Sequence, residues 1–512
     1  MQWLNTIVDE LIARHPDGEI LIESGGSPSG TYHLGHMREP VICDAVMLEV
    51  RRRGREARHI YFSDDLDGLR KIPVNVPADY DQYLGLPLCD VPAPDGSEVS
   101  YGDYFFAGFL QGIAALGVEL EPLYSHQKYR SGFFTEAIER CLERLPKAKD
   151  ALETIAGRQL DEHWSPVQIM ENGRLKNRKF ISIDKSAKTI QYQDVSGQPQ
   201  AVRYDAGEVK LDWRLDWPGR WWLLNIQAEP FGRDHATKGG SYDTGVQIMK
   251  DIYEAEAPLP IPYDFINLFG DNKKMSASKG TGLAATDCAK VMPAEVMRYF
   301  ILRSAPSKRL YFDPVGDVVK LVDEFAALAA NTDRTESEEQ LLYLCTRGID
   351  HQTVSRVPFS HLVASYQAAL KDYEQTLTVL RRTEYAKIVD KDAVIIKLEL
   401  QFIDQWLEHW APEEVKFSLK VTVDPNDFTD QERQFMNDLA QSIEKAPADA
   451  DGVWFHDAIY TFKDSSGLAP KELFAILYRA LIGAQRGPRA GWFLSALPRE
   501  WLIKRLKLEA SD

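Results

Sequence analysis

Two histidines, His33 and His36, close a glycine-rich stretch at residues 24–36, which read SGGSPSGTYHLGH. An apolar stretch precedes it and a helical pattern follows, so N–H groups at the helix start would point outward and attract an anion. Side chains three residues apart lie on one face of a helix, and imidazoles beside exposed amides can grip a polyphosphate and stabilise developing negative charge. This histidine turn (residues 24–36) therefore predicts phosphate chemistry, and Gly35 would let a flat ring approach the main chain.

A second candidate for phosphate chemistry is the lysine–serine segment (residues 271–280, DNKKMSASKG), which directly follows an apolar stretch. Its lysines, Lys274 among them, surround Ser276 and Ser278. Lysines and small hydroxyl residues on a glycine-containing loop suit a clamp that closes on a leaving pyrophosphate and then releases it. Lysine-rich loops are also common on surfaces, so this segment is informative mainly in combination with the histidine turn.

A strand–helix–strand unit would position the histidine turn. Residues 19–24 (EILIES) predict a short buried strand that stops at glycine and proline. Residues 34–53 predict a helix, because apolar side chains recur at three- and four-residue steps, although Pro40 lies inside it. Residues 58–63 (RHIYFS) predict the next strand, so that the three elements form a right-handed parallel βαβ unit.

Further along the chain, the patterns predict an insertion and then a helical region. Residues 72–222 mix turns, helical patterns and, in 180–204, short alternating strands. Residues 221–227 (WWLLNIQ) and 264–269 (DFINLF) predict the strands with which parallel order resumes. From residue 317 onward most segments are helical patterns.

The predicted fold class is α/β: a Rossmann-like parallel-sheet domain with an inserted α+β subdomain, followed by an all-α C-terminal domain. A length of 512 residues suits several domains, since single cores rarely exceed ~250–300 residues. In the helical part, Pro470 is placed to open a helix and Gly483 to end it. The expected domains are 1–75 and 223–305 for the two halves of the sheet domain, 76–222 for the insertion, and 306–512 for the helical domain.

Composition narrows the class of protein. The net charge of −17 argues against a protein that coats nucleic acid non-specifically, but it leaves specific RNA binding open. The five cysteines stand far apart without a Cys-x-x-Cys pair, which argues against a disulfide framework or a four-cysteine zinc site and predicts thiols in a reducing cytosol. No stretch approaches the ~20 apolar residues that cross a bilayer. We therefore expect a cytoplasmic protein that does not associate with a membrane.

The two phosphate segments together resemble the paired signatures of class I aminoacyl-tRNA synthetases. Residues 33–36 (HLGH) are similar to the HIGH motif and residues 274–278 (KMSAS) to the KMSKS motif, with Ala277 where that motif has lysine. Within this class the chain resembles the lysyl-tRNA synthetases, and the resemblance spans its whole length. The segments that carry it are 63–73 (SDDLDGLRKIP), 83–96 (YLGLPLCDVPAPDG), 211–221 (LDWRLDWPGRW), 229–245 (EPFGRDHATKGGSYDTG) and 477–497 (LYRALIGAQRGPRAGWFLSAL).

The resemblance implies a lysine–tRNA ligase that uses ATP with Mg²⁺ to form lysyl-adenylate and then transfers lysine to the 3′ terminal adenosine of tRNA(Lys). The C-terminal helical domain would bind the anticodon, for which Trp406, Trp410, Arg489 and Trp492 are candidates. Many relatives carry cysteine pairs in the insertion. Here no cysteine lies between Cys141 and Cys288, so we expect no structural zinc.

The resemblance also assigns site residues, with Gly232 and Asp234 facing the ATP ribose and His235 facing the amino acid. The predicted catalytic residues are His33, His36 and Lys274. The remaining predicted ATP contacts are Pro28, Gly30, Gly35, Gly232, Asp234, Met275, Ser276 and Ser278. The predicted L-lysine contacts are Gly26, Ser27, Asp65, Trp213, His235 and Tyr263, and no residue is assigned to a metal.

The residues themselves support the amino acid only in part. A lysine pocket needs acidic acceptors for the ammonium and aromatic walls along the apolar stem; candidate carboxylates are Glu23, Asp65 and Asp67. Three alternatives stay open at this stage. They are a class I synthetase for another amino acid such as glutamate, which would need a basic pocket; a cofactor-forming nucleotidyltransferase, which typically lacks a large helical appendage; and a non-catalytic tRNA-binding paralogue.

Overall fold

The computed structural model describes residues 1–160, 164–269, 283–349, 352–447, 450–487 and 489–509. The chain divides into two compact units. Unit 1 comprises Met1–Ala289, Met297–Phe312 and Arg334–Ile349, and unit 2 comprises Lys290–Val296, Asp313–Asp333 and Asp350–Asp512. The lysine–serine segment lies outside the described residues, and with it the predicted site residues Lys274, Met275, Ser276 and Ser278.

Strands and helices alternate through the first part of the chain. The strands are β1 (Ile20–Gly26), β2 (Ala57–Ser63), β3 (Glu121–Tyr124), β4 (Val167–Glu171), β5 (Arg174–Asn177), β6 (Lys179–Asp184), β7 (Thr189–Gln193), β8 (Pro199–Arg203), β9 (Val209–Leu211), β10 (Ala228–Gly232), β11 (Leu259–Tyr263), β12 (Ile266–Leu268) and β13 (Leu310–Phe312). The helices up to residue 346 are α1 (Gln2–Arg14), α2 (Leu34–Arg52), α3 (Tyr101–Ala115), α4 (Ser125–Arg130), α5 (Thr135–Glu143), α6 (Leu145–Asp150), α7 (Trp213–Leu224), α8 (Ser241–Ile248), α9 (Ala285–Val291), α10 (Ala294–Leu302), α11 (Asp317–Ala330) and α12 (Glu336–Thr346).

A five-stranded sheet in the order β11-β10-β1-β2-β3 is the central layer of unit 1, and all its pairings are parallel. Gly26 stands opposite Ser63, and Gly232 opposite Tyr263, so the carboxyl ends of four strands form one edge. The strand order changes direction at β1, between β10 and β2, which is where open α/β sheets bind ligands. The predicted βαβ unit is confirmed by β1, α2 and β2, and α2 continues through Pro40.

The insertion contains two small antiparallel sheets, β5-β4-β9 and β6-β7-β8. The second confirms the short alternating strands predicted for residues 180–204. Strand β3 also lies within the range 76–222 that the sequence assigns to the insertion, yet it pairs with β2 in the central sheet. The central sheet therefore extends into that range, and the domain boundaries stay a prediction.

The prediction of a strand at residues 221–227 is wrong. Its first four residues end helix α7, and Asp212 caps the start of that helix by accepting a hydrogen bond from the main chain of Arg214 at 3.1 Å. Trp217 and Trp221, one helical turn apart, both donate to Glu229, so this apolar run is buried along a helical face. The parallel strands that continue the sheet are β10 and β11. Strand β11 contains two prolines, which are unusual inside strands, so its sequence does not show a strand pattern.

The prediction of a strand at residues 264–269 is correct for β12, although β12 pairs with β13 in a separate two-stranded parallel sheet.

Unit 2 is helical, as the sequence predicts. After α11 its helices are α13 (Phe359–Ala368), α14 (Tyr373–Leu380), α15 (Ala386–His409), α16 (Asp430–Glu444), α17 (Gly452–Thr461), α18 (Pro470–Ile482), α19 (Ala490–Ala496) and α20 (Arg499–Leu506). Pro470 opens α18, and Gly483, with a φ of +72°, ends it, so both predictions are confirmed. None of the helices in the described part of the chain has the length and apolar character needed to cross a membrane. The predicted α/β class with a C-terminal helical region is thus confirmed.

Candidate active site

The two histidines of the histidine turn form the start of α2 themselves. His33 is the residue before the helix, and its Nδ1 accepts from the main-chain N–H of Gly35 at 3.1 Å. In return, Nδ1 of His36 accepts from the main-chain N–H of His33 at 3.0 Å, and the ring centroids lie 3.8 Å apart. Because both Nδ1 atoms accept, each neutral ring carries its proton on Nε2. This arrangement gives each ring an Nε2–H donor suited to an anion at the helix start.

Main-chain hydrogen bonds join the histidine turn to the residues that follow 270–282. The N–H of Leu34 donates to the carbonyl of Leu283 at 2.9 Å, and His33 forms a β-bridge with Ala284. The described residues on the C-terminal side of the lysine–serine segment thus lie against the histidine turn. A contact of Lys274 with the same ligand as the histidines stays a prediction.

A cavity of about 280 Å³ opens at the carboxyl edge of the central sheet. We call it the sheet-edge cavity. Every strand end of β1, β2, β10 and β11 contributes to its wall, directly or through the next residue. The described residues that line it are Gly25, Gly26, Glu39, Asp64, Trp213, Trp217, Arg220, Glu229, Pro230, Phe231, Gly232, Asp234, His235, Tyr263 and Phe265.

Two glycines of this wall have a close neighbour where a side chain would begin. A Cβ on Gly25 would stand 2.8 Å from the carbonyl oxygen of Phe62, and one on Gly232 would stand 2.5 Å from Oδ1 of Asp234. Real Cβ atoms do not approach that closely, so the close packing of β1 against β2 requires glycine at position 25, whereas at position 232 the neighbour is the end of the Asp234 side chain, which can turn aside. The main chain therefore forms part of the cavity wall.

The charge of the sheet-edge cavity is mainly negative. Its wall carries four carboxyl groups, those of Glu39, Asp64, Glu229 and Asp234, and burial raises the pKa of Glu229 well above its ordinary value. Among the described lining residues, Arg220 supplies the single lysine or arginine side chain. That guanidinium is 3.0 Å from Asp64 and 3.0 Å from Glu23, a buried carboxylate on β1, so it is already ion-paired. Such a wall is complementary to a cationic ligand.

Glu39 is the carboxylate best placed to accept from a ligand. It lies on α2 three residues after His36, and its oxygens accept from the main chain of Gly25 at 2.9 Å and from the hydroxyl of Tyr263 at 2.6 Å. Burial raises the pKa of Glu39 to about 7, and these two hydrogen bonds only partly offset that effect. Burial also raises the pKa of Asp64, to about 6, although Arg220 opposes the shift. Neutral donors hold Glu39, so a ligand ammonium would be its strongest partner.

Aromatic rings form the opposite wall of the cavity. The ring of His235 packs edge-on against Trp213 at 6.0 Å and against Trp217 at 5.6 Å between centroids, and its Nδ1 lies 3.1 Å from the hydroxyl of Ser241. The indole N–H of Trp217 donates to Glu229 at 2.5 Å. Fixed rings of this kind suit an apolar stem that ends in a cation.

A smaller cavity of about 180 Å³ shares Asp64, Trp213 and Arg220 with the sheet-edge cavity. Its floor is Lys210, whose ammonium lies 3.1 Å from Asp67 and 3.2 Å from Asp216. Asp67, a sequence candidate for the lysine pocket, therefore already has a buried cation as its partner. This pairing makes Asp67 an unsuitable acceptor for a ligand ammonium.

The structure brings six of the predicted ligand residues into one cavity wall: Gly26, Trp213, Gly232, Asp234, His235 and Tyr263. Ser27, Pro28 and Gly30 lie in the histidine turn but do not line the cavity. Asp65 does not line it either, because its carboxylate accepts from the main chain and the ring of His126. The neighbouring Asp64 takes the cavity position, so the geometry does not support a lysine contact for Asp65.

Sequence reasoning missed Glu39, Asp64, Arg220, Trp217 and Glu229. Glu39 carried a usable signal, since it lies on the same helical face as His36. Asp64 and Arg220 lie in segments on which the resemblance rests, but nothing in their spacing identifies the one as the partner of the other. Among the described residues, no group of three or more histidine, cysteine, aspartate or glutamate side chains is arranged to hold a metal ion, and the absence of zinc stays a prediction.

A family model described as tRNA synthetases class I (K) matches residues 1–346. The chain belongs to this family. The lysine–tRNA ligase 1 of Methanosarcina acetivorans is 35% identical, with 100% of this chain and 98% of the relative covered. The lysine–tRNA ligase of Archaeoglobus fulgidus is also 35% identical, with 99% of each chain covered. Among solved structures, a glutamate tRNA ligase from Elizabethkingia meningosepticum has a TM-score of 0.46 at 12% identity over 96% of this chain and 98% of its own.

Membership in the class I tRNA synthetase (K) family confirms the predicted enzyme class: the protein is an aminoacyl-tRNA synthetase, and synthetases of this class use ATP. In such a synthetase the helix start with its paired histidines suits the ATP phosphates. The adjacent negative cavity suits the amino acid. The individual site residues stay predictions.

Proposed function

We propose that this protein is a lysine–tRNA ligase, which activates L-lysine with ATP and transfers it to the 3′ terminal adenosine of tRNA(Lys). The observation that carries the proposal is the negative, aromatic-walled cavity beside the histidine turn. The similar proteins that match the chain over nearly its whole length are named lysine–tRNA ligases, which supports the same conclusion.

The cavity favours lysine over the glutamate alternative. The ammonium of lysine would be accepted by Glu39, beside the hydroxyl of Tyr263, with the apolar stem against Trp213 and Trp217. A glutamate side chain would instead bring a further carboxylate to a wall that already holds Asp64 and Asp234 beside Glu39, where a like charge is disfavoured. The one described arginine of the wall is already paired with Glu23 and Asp64, so it offers little compensation.

The chemistry follows from the two neighbouring parts of the site. The carboxylate of lysine attacks the α-phosphorus of ATP, so the bond to the bridging oxygen breaks and pyrophosphate leaves. His33 and His36, together with Lys274, stabilise the negative charge of that transition state. The 2′-hydroxyl of the tRNA adenosine then attacks the lysyl carbonyl, and AMP leaves. Mg²⁺ would arrive with the ATP phosphates, as it usually keeps several waters and binds through substrate phosphates.

A cavity in unit 2 supports the proposed anticodon contact. It has a volume of about 410 Å³, and we call it the helical-unit cavity. The ring of His361 lies 5.0 Å from that of Tyr385 and 6.4 Å from that of Trp492, and Arg489 and Glu384 complete its polar wall. The buried Nε2 of His361 has no hydrogen-bond partner among the described residues. Aromatic faces with polar edge groups suit an unpaired base, so an anticodon base of tRNA(Lys) is the proposed ligand.

Amino-acid-dependent exchange of pyrophosphate into ATP, measured with unfractionated tRNA present, tests the proposal. We expect exchange with L-lysine, and charging of tRNA with labelled lysine. Exchange with glutamate in place of lysine would instead identify a class I synthetase for glutamate. Absence of exchange with all twenty amino acids, while tRNA still binds, would select the non-catalytic paralogue.

A further inference from the structure

Arg38 is a fully buried cation in the interior of unit 1, on the same helix as the histidines and Glu39. One guanidinium nitrogen, Nη1, donates to the main-chain carbonyl of Asp264 and contacts that of Phe265 at 3.4 Å. The other, Nη2, donates to the carbonyls of Pro306 at 3.0 Å and Lys308 at 2.7 Å. Arg38 therefore joins α2 to two separate stretches of main chain through carbonyl oxygens.

The first of those stretches is the corner between β11 and β12, residues 263–265, which forms one wall of the sheet-edge cavity. Tyr263 and Phe265 both line the cavity, and Asp264 between them is held from several sides. Its N–H donates to Pro306 at 2.9 Å, and its carboxylate accepts from Arg233 at 2.6 Å and from Arg309 at 3.1 Å. The corner is thus fixed by polar contacts on its main chain and on its one charged side chain.

Burying a cation against neutral carbonyls is a costly way to stabilise a fold. Desolvation lowers the pKa of Arg38 to about 10, so the group is still charged at neutral pH. An apolar side chain of similar volume would avoid that desolvation cost. What an apolar residue, or a lysine with its compact ammonium, cannot supply is a rigid planar fork that reaches several carbonyls at once.

We propose that Arg38 is a positioning residue for amino-acid selection, which holds the 263–265 corner at a fixed distance from the helix that carries His36 and Glu39. Its effect on the ligand is indirect. It keeps the hydroxyl of Tyr263 on the carboxylate of Glu39, where the 2.6 Å hydrogen bond orients that carboxylate. The selection of lysine in this inference rests on the proposed function.

The test compares Arg38→Lys with Arg298→Lys in the full-length protein. Arg298 is a matched control, because it is also buried, donates to the carbonyl of Leu344 at 2.7 Å and pairs with Asp44 at 2.7 Å, but its hydrogen bonds to described residues do not reach the 263–265 corner. We expect Arg38→Lys to raise the Kd for L-lysine roughly tenfold or more, since a displacement of about 1 Å can cost ~10²-fold at a positioned site. The KM for ATP should change little. Arg298→Lys should lower Tm without changing the Kd for lysine.

Hydrogen exchange gives a readout that does not depend on the amino acid. In Arg38→Lys, peptides from residues 259–269 should exchange faster than in the native protein, while peptides from β1 should not. If Arg38→Lys does not fold, Arg38→Gln replaces it, because an uncharged side chain avoids burying an unpaired charge and still lacks the fork that reaches both stretches of main chain.

Three outcomes are distinguishable. A raised Kd for lysine with faster exchange in 259–269 supports the inference. A native protein that binds no lysine, with faster exchange in the variant, leaves the positioning role in place and overturns the proposed function. The positioning role requires a rise of ~10-fold in the Kd for lysine. It would be overturned by unchanged exchange together with a Kd within about twofold of the native value. Equal effects of the Arg38 and Arg298 substitutions on this Kd would also overturn it.

Discussion

The sheet-edge cavity and the helical-unit cavity differ most in how their polar groups are balanced. The first has four carboxyl groups and one arginine that is already ion-paired. The second combines aromatic rings with one arginine, one glutamate and a histidine whose pKa burial lowers, so that the ring is neutral. A negative wall selects a cation by charge, whereas rings with polar edge groups of both signs select a planar ligand by stacking and hydrogen bonds. Substitutions that affect one ligand and spare the other therefore test the difference.

The largest effect should come from the histidines beside the sheet-edge cavity. We expect His36→Ala to lower the rate of adenylate formation about 10²-fold or more, as removing one preorganised donor costs ~3 kcal/mol. Binding of tRNA through the helical unit should be unaffected. Single-turnover formation of adenylate in the presence of tRNA measures the rate.

His36 also caps α2, so its removal has a structural cost that a control must separate. His36→Asn offers a side-chain acceptor to the N–H of His33 and should recover most of the Tm lost in the alanine variant. It should not recover the rate. A near-normal rate of adenylate formation in His36→Ala would show that His36 takes no part in the chemical step.

The next largest effect concerns the charge of the cavity. Glu39→Gln should raise the KM for lysine about 10- to 10²-fold, because a hydrogen bond to a charged group is worth ~1.5–3 kcal/mol. Steady-state exchange measured against lysine and against ATP separates this loss from a general defect. Tyr263→Phe keeps the ring and removes one neutral hydrogen bond, so its effect should be smaller. Equal effects on both substrates would mean that Glu39 does not meet the ammonium.

The raised pKa of Glu39 predicts how lysine binding depends on pH. Below about 7 this carboxyl is protonated in the free protein, so the Kd for lysine should rise about tenfold for each unit of decreasing pH. Protonation of Asp64, with a pKa of about 6, should steepen the dependence at lower pH. Arg220, Glu229 and Asp234 also line this wall. Titration calorimetry from pH 5 to 8 would reveal the slope, which should flatten near pH 7 in Glu39→Gln.

The same pKa shift has a consequence for stability. An unfolded glutamate ionises near 4.5, while the folded Glu39 stays protonated up to about 7. The unfolded state therefore binds fewer protons between these values, and the free energy of unfolding should fall as pH rises through this window. Denaturant unfolding of the native protein and of Glu39→Gln, compared at pH 5 and pH 7, isolates the contribution. A contribution of the opposite sign would show that Glu39 is ionised in the folded state.

A moderate effect is expected at the helical-unit cavity. Arg489 is exposed and lines that cavity, so Arg489→Gln should raise the KM for tRNA roughly fivefold, as expected for ~1 kcal/mol from one lost base contact. The KM for lysine should stay the same. Arg486→Gln is the matched control, because Arg486 is exposed in the same unit but does not line the cavity. Equal losses in both variants would indicate non-specific attraction of the RNA backbone.

The smallest effect distinguishes two neighbouring aspartates. Asp65→Asn should leave the KM for lysine within about twofold and lower Tm by about 2–4 °C for each kcal/mol lost, because its carboxylate holds His126. Aminoacylation kinetics and thermal unfolding measure the two quantities. A large rise in the KM for lysine would restore Asp65 as a ligand residue.

The sequence predicted the parts of the site whose chemistry is local. His33 and His36 stand three residues apart after a turn, and the strand–helix–strand pattern around them needs only neighbouring residues. His235 was predicted by resemblance, and Trp213 and Tyr263 were predicted as aromatic walls of a lysine pocket; all three line the cavity. The parallel sheet was predictable because βαβ units leave few topologies open.

The features that could not be predicted from the sequence depend on contacts between residues that are distant along the chain. Glu39 becomes a pocket carboxylate because Tyr263, 224 positions later, donates to it. Asp64 and Asp65 are adjacent and chemically identical, and the path of the chain after β2 decides which of them faces the cavity. The apolar side chains of residues 221–227 would suit a buried helix as well as a buried strand. In the structure the segment begins as a helix, in which Trp217 and Trp221 both donate to Glu229.

The hydrogen bond between the main chains of Leu34 and Leu283 has a consequence for sequence variation. Backbone groups are common to all residue types except proline, so the junction can persist while the side chains at both positions diverge between species. Substitutions at these two positions should therefore be tolerated, except for proline at position 34, which has no N–H to donate.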